Sequence, residues 1–177
     1  DFGAITDGAS RERAAITGPG DASTRRASSA APGSEDGTGV VLGRVVHRMF
    51  QARIPGGLPS DALAAKARTL VTADESVTVA DLGRLAASAA QVFSGMRSQP
   101  ALRALLDEAV CHYEVPISVL PATGGPGGRA RLLRGVIDCL ACRPDGGVVV
   151  VDFKTGARRP GDRRQLGAYV DAVRSLF

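Results

Sequence analysis

Asp138, Asp152 and Lys154 are three charged side chains whose types and spacing could do chemistry together. Between the two acids stands Pro144-Asp145-Gly146, which suits a three-residue hairpin loop with Pro at the first turn position and Gly in the left-handed bulge. Strands leaving such a loop pair symmetrically, so Arg143 faces Gly147 and, further out, Asp138 faces Asp152. Directly opposed residues have Cβ atoms about 4.5–5.5 Å apart, where like charges repel unless something positive lies between them. Alternation puts Lys154 on the face of Asp152 and Phe153 on the other. Two acids gripping a divalent cation, with an amine near a water, is the arrangement expected for metal-assisted hydrolysis of a phosphodiester. The plain alternative is an Asp–Lys ion-pair cluster on a solvated sheet face. Against it, Val148 to Val151 is apolar on both faces and reads as a buried central strand whose tip emerges at Asp152. The only lysines are Lys66 and Lys154, every other fixed positive side chain being Arg, so a compact ammonium at 154 is a specific choice.

The elements that must position these groups can be read from periodicity. Residues 1–37 are mostly small and polar, with Phe2, Ile5 and Ile16 as the bulky apolar side chains, and read as a flexible linker or tail. Helical spacing begins at about Thr38 and carries His47 on a first helix, which ends before Ile54-Pro55-Gly56-Gly57. Ser60 and Thr78 are expected to cap a second and a third helix, and Ser98-Gln99-Pro100 opens a fourth running to about Val110. The period then drops to two. Tyr113–Leu120, Ala130–Cys142 and Gly147–Phe153 read as strands, Gly124–Gly128 as a loop, and Gln165–Leu176 as a last helix. A helical part over 38–110 and an αβ core over 111–177 make one domain, and the opening Asp1 suggests a piece of a longer chain.

Composition bounds the function. The 177 residues carry a formal charge of +4 and are 44% hydrophobic, enough for a real core. The excess charge is local: residues 129–164 hold nine Arg and Lys against four Asp, a natural surface for a polyanion. Three cysteines cannot all pair, which favours a reducing, cytoplasmic setting, and no apolar run reaches the length of a membrane span.

Gly43-x-x-x-His47, Glu114, Gly135-x-x-Asp138, Asp152-Phe153-Lys154 and Gln165-x-x-x-Tyr169 occur in the order and approximate spacing of the RecB-type branch of the PD-(D/E)XK nucleases. From about Gly39 onward the chain resembles the C-terminal nuclease domain of AddA or RecB helicase–nucleases. The resemblance implies a restriction-endonuclease-like α/β fold, a mixed sheet flanked by helices with a helical N-terminal portion. It implies that His47, Asp138, Asp152 and the backbone carbonyl of Phe153 bind Mg²⁺, with Mn²⁺ tolerated. Lys154 would orient or activate the attacking water, Glu114 would approach the same site as a ligand or through a water, and Gln165 and Tyr169 would position DNA or brace the site. Arg158, Arg159, Arg163 and Arg164 would hold the DNA backbone. The parent would be a helicase–nuclease processing double-strand breaks, with helicase domains on the same chain and a second subunit as in AddAB or RecBCD. Relatives continue into another strand after the Tyr169 helix, so the core is expected to be truncated at Phe177. A catalytically silent DNA- or partner-binding domain and a stand-alone phage-type exonuclease of the same superfamily are the competing readings.

Other motifs carry less. Cys139 and Cys142 have C-x-x-C spacing, but three apart on a strand they point to opposite faces and read as packing residues. The cysteines that hold an iron–sulfur cluster in AddB-like and Cas4-like relatives have no counterpart after Tyr169, so no cluster is expected. The Gly124–Gly128 run lacks the Lys of a phosphate-binding loop, so no ATP site is expected in this piece.

Overall fold

A computed structural model describes residues 2–5, 35–119, 132–156 and 161–176. The chain divides into a helical unit and a β unit.

The helical unit contains α1 (Glu35–Gln51), α2 (Ser60–Thr69), α3 (Ala73–Thr78) and α4 (Leu82–Arg97), together with the segment Lys154–Ala157. Its core follows the helical period: Val41, Val45, Met49 and Phe50 of α1 are buried, as are Leu85, Ala86, Ala89, Ala90, Phe93 and Met96 of α4. The alanines let neighbouring helices approach closely. The rings of Phe50 and Phe93 meet with centroids 4.7 Å apart and tilted by 56°, and each buried aromatic of this kind is worth roughly 1.5–3 kcal/mol. Two boundaries differ from those expected. Thr78 ends α3 rather than capping the next helix, and the cap of α4 is Asp81, whose side chain accepts from the Arg84 N–H at 2.8 Å. The cap before α2 is Pro59, with Ser60 the first helical residue.

The β unit contains β1 (Phe2–Ile5), β2 (Val110–Val119), β3 (Leu133–Cys142), β4 (Val148–Val151) and α6 (Asp162–Arg174); α5 (Pro100–Glu108) leads into it. The sheet order is β1-β4-β3-β2. Every pairing among the described residues is antiparallel, so the mixed sheet expected from the resemblance is not seen there. The tight turn joining β3 and β4 fixes that pair as antiparallel. β1 lies inside the stretch expected to be a linker. Its Phe2 and Ile5 pair with Val151 and Val148, adding an apolar strand to the all-valine β4. The β3–β4 turn is built as its residues predict. The Arg143 N–H donates to the Gly147 carbonyl at 2.8 Å, Gly146 takes φ +85°, and the Gly147 N–H donates to Asp145 Oδ1 at 2.8 Å. The core of this unit is Ile117, Ile137, Leu140 and Val150 under Tyr169, Ala172 and Val173 of α6. No helix among the described residues is long and apolar enough to cross a membrane.

Candidate metal-dependent nuclease site

The β2–β3 pair sorts its side chains by period two. On β3, Ile137 and Cys139 are fully buried while Arg134 and Val136 are exposed and Asp138 is half-buried. On β2, Ile117 is buried and Glu114, Pro116 and Ser118 are exposed. The register runs Tyr113 opposite Cys139 and Val115 opposite Ile137, so Glu114 stands across from Asp138. At Glu114 the ladder is interrupted, because this residue takes φ +52° in the left-handed region. A non-glycine residue there costs roughly 1–2 kcal/mol. The carboxylate oxygens of Glu114 and Asp138 lie within 4.8 Å of one another. Two hard oxygen donors so close fit a divalent cation of the Mg²⁺ or Mn²⁺ type.

Asp138 has a second attachment. Its Oδ2 accepts the backbone N–H of Phe153 at 2.8 Å. The paired register ends with Cys139 opposite Val151, and Asp152 lies just past the end of β4, where it is 4% exposed. The Asp138 carboxylate therefore ties down the backbone between Asp152 and Lys154, holding the exit of β4 in place.

Lys154 is half-buried and opens the short segment that packs with the helical unit. Within that unit a Cβ on Gly43 would stand 3.1 Å from Thr155 Oγ1, so the glycine of the Gly43-x-x-x-His47 pair gives Thr155 its place against α1. His47, half-buried, follows one turn later on the same helix face.

Tyr169 and Gln165 form one assembly, in which the Gln165 amide donates to the Tyr169 hydroxyl at 3.0 Å. Tyr169 is 6% exposed and lies over Gly135, where a Cβ would come within 2.7–2.8 Å of its hydroxyl and ring. In this position Tyr169 braces β3 three residues before Asp138; Gln165 is exposed. Arg163 and Arg164 are exposed on the first turn of α6, whereas Arg158 and Arg159 lie outside the described residues. Cys139 and Cys142 are free thiols, the first fully buried.

One charged residue escaped the sequence reading. Glu75 is 6% exposed and takes two hydrogen bonds from Arg48, at 2.6 and 2.9 Å, while Thr72 and Glu75 complete a capping box at the start of α3. The Arg48 hydrogen bonds hold the Glu75 carboxyl down to about 2, against the opposing effect of burial. The same contact raises Arg48 above its ordinary value. Arg48 also donates to the Leu70 carbonyl at 3.0 Å, so the helix carrying His47 is bound to the chain on either side of Val71. The T-x-x-E spacing of the box was present in the sequence as a signal.

The sequence profile of the PD-(D/E)XK nuclease superfamily matches residues 23–177. No curated protein matches the chain. The chain belongs to the PD-(D/E)XK nuclease superfamily. Membership implies a metal-dependent nuclease, and the close Glu114–Asp138 carboxylates supply an acidic pair suited to such a metal.

Proposed function

We propose that this domain hydrolyses DNA phosphodiesters with Mg²⁺ as its working cation. Glu114 and Asp138 would each offer one carboxylate oxygen, and by the motif resemblance His47, Asp152 and the Phe153 carbonyl would complete the set. When bound, the cation supplies positive charge against the scissile phosphate and its developing negative charge. Asp138 would offer an oxygen to the ion, and by accepting the Phe153 N–H it holds the backbone between Asp152 and Lys154. Lys154 orients the attacking water with its ammonium. Tyr169 and Gln165 serve as positioning residues for β3, while Arg163 and Arg164, and Arg158 and Arg159 before them, hold phosphates without reading bases.

The observation that carries this reading is the Glu114–Asp138 pair with Asp138 tied to the backbone beside Lys154. By the motif order of the chain, the parent is a helicase–nuclease of the AddA or RecB type acting on broken DNA ends in the cytoplasm, with helicase domains preceding this one and a second subunit alongside. The test is nicking and end-resection of DNA in Mg²⁺ and Mn²⁺ by wild type, Asp138→Asn and Asp152→Ala. We expect metal-dependent cleavage by wild type and a loss on the order of 10²–10³-fold in both variants. Equal cleavage by all three proteins would reject the assignment.

A further inference from the structure

The face of the β2–β3 hairpin that bears the two acids continues beyond them. Past the Glu114 and Asp138 positions come two cross-strand rungs, Pro116 with Val136 and Ser118 with Arg134. Pro116, Ser118 and Arg134 are exposed, and Val136 is 43% exposed although apolar. The opposite face is occupied, with Ile117 and Ile137 in the core and Gly135 beneath Tyr169. Along about 13 Å of strand, at ~3.3 Å per residue, the open face thus reads acid pair, apolar pair, base.

We propose that this face is the track of the substrate strand and that Arg134 is a substrate-positioning residue. This rests on the nuclease reading. The phosphodiester to be cut lies at Glu114 and Asp138, the flat apolar part of a nucleotide crosses Val136 and Pro116, and a phosphate further along the same strand is held by Arg134. A polymer that alternates anionic phosphates with apolar base faces matches that order, and a Val–Pro shelf with no side-chain donor accepts any base. Arg134 is exposed, and its planar guanidinium carries five donors in the geometry that suits a phosphate. A peptide strand fits less well. Among the described residues β2 is the edge of the sheet, and Pro116 removes a donor from that edge.

The experiment compares wild type with Arg134→Ala and Arg134→Lys on a single-stranded DNA oligonucleotide. Arg134→Ala should raise KM roughly fivefold with little change in kcat. It should also reduce the slope of log KM against log salt by about 1. Arg134→Lys should recover most of the loss, because a phosphate accepts a point charge. Oligonucleotides carrying one neutral methylphosphonate at successive positions locate the contact: one position should weaken wild type and leave Arg134→Ala unaffected. Unchanged KM and salt slope in Arg134→Ala, or identical methylphosphonate profiles in both proteins, would overturn the track. Fluorescence anisotropy of the same oligonucleotide without metal reads binding alone. If wild type cuts nothing in any divalent metal, the nuclease reading fails, while weaker binding by Arg134→Ala still supports the track and equal binding removes it.

Discussion

In the helical unit a single carboxylate, Glu75, is 6% exposed and held by two hydrogen bonds from Arg48 and a capping box with Thr72. In the β unit two carboxylates, Glu114 and Asp138, approach within 4.8 Å, one of them on a left-handed backbone. The first site has its neutralising charge built in, so its electrostatics are spent on folding. The second brings like charges together, and Asp138 also accepts the backbone N–H of Phe153. Two carboxylates so close together are stabilised when a divalent cation joins them, and the contrast sets a residue whose counter-charge is Arg48 beside a pair that we propose holds a ligand.

The strongest way to break the contrast is Glu75→Ala. Removing one partner strands Arg48 beside a buried position, and we expect a loss of about 3 kcal/mol in urea unfolding at neutral pH. The pH dependence follows from the same contact. Because the folded carboxyl is held at about 2, below its ordinary 4.5, the unfolded chain takes up the proton first as pH falls. The stabilisation is therefore fully present above about 4.5 and is lost as pH drops towards 2, roughly 3 kcal/mol in all. Glu75→Ala should flatten that acid limb. A variant whose acid limb matches wild type would show that Glu75 is not the group being titrated.

Gly135→Ala is expected to cost about 2 kcal/mol, since the new methyl would meet the Tyr169 ring at 2.8 Å and a ring 6% exposed has little room to yield. Cleavage should fall further than stability does, because β3 carries Asp138 three residues on. Combining it with Tyr169→Leu, which empties the contact, should destabilise by less than the sum of the single changes. Additive losses would mean that the ring and the glycine are not coupled.

What could be read from residues alone followed local rules. Pro144-Asp145-Gly146 set the turn, hence the register from Arg143–Gly147 to Cys139–Val151. The apolar run Val148–Val151 marked an inner strand, helical spacing found α1 and α6, and cap or opening residues pointed to α2, α4 and α5. The failures share a cause, since each depended on something the local pattern does not encode. α3 has only six residues, too few for an apolar period, and Thr78 and Asp81 are both good caps three positions apart, of which packing chose Asp81. The Arg48–Glu75 pair joins residues 27 apart, and nothing in either helix names its partner. An all-antiparallel arrangement and the pairing of β1 depend on which strand edges meet. Glu114 was visible as an acid within a strand, but period-two spacing gives no hint that its backbone turns left-handed.

That left-handed turn gives the finest test of the contrast. Glycine occupies φ +52° without the Cβ penalty, and removing one of two close carboxylates also removes their repulsion. Glu114→Gly should therefore unfold at a higher temperature than wild type in the presence of a chelator, by about 1 kcal/mol of stability. Adding Mg²⁺ or Mn²⁺ should raise the wild-type midpoint and leave the variant's nearly unmoved, so that the two curves cross as metal is titrated. Glu75 would show the reverse, since its replacement weakens the chain while the metal-induced shift persists. A variant less stable than wild type in chelator, or one that keeps the full metal shift, would place Glu114 among the residues that hold the fold and erase the distinction between the two acidic sites.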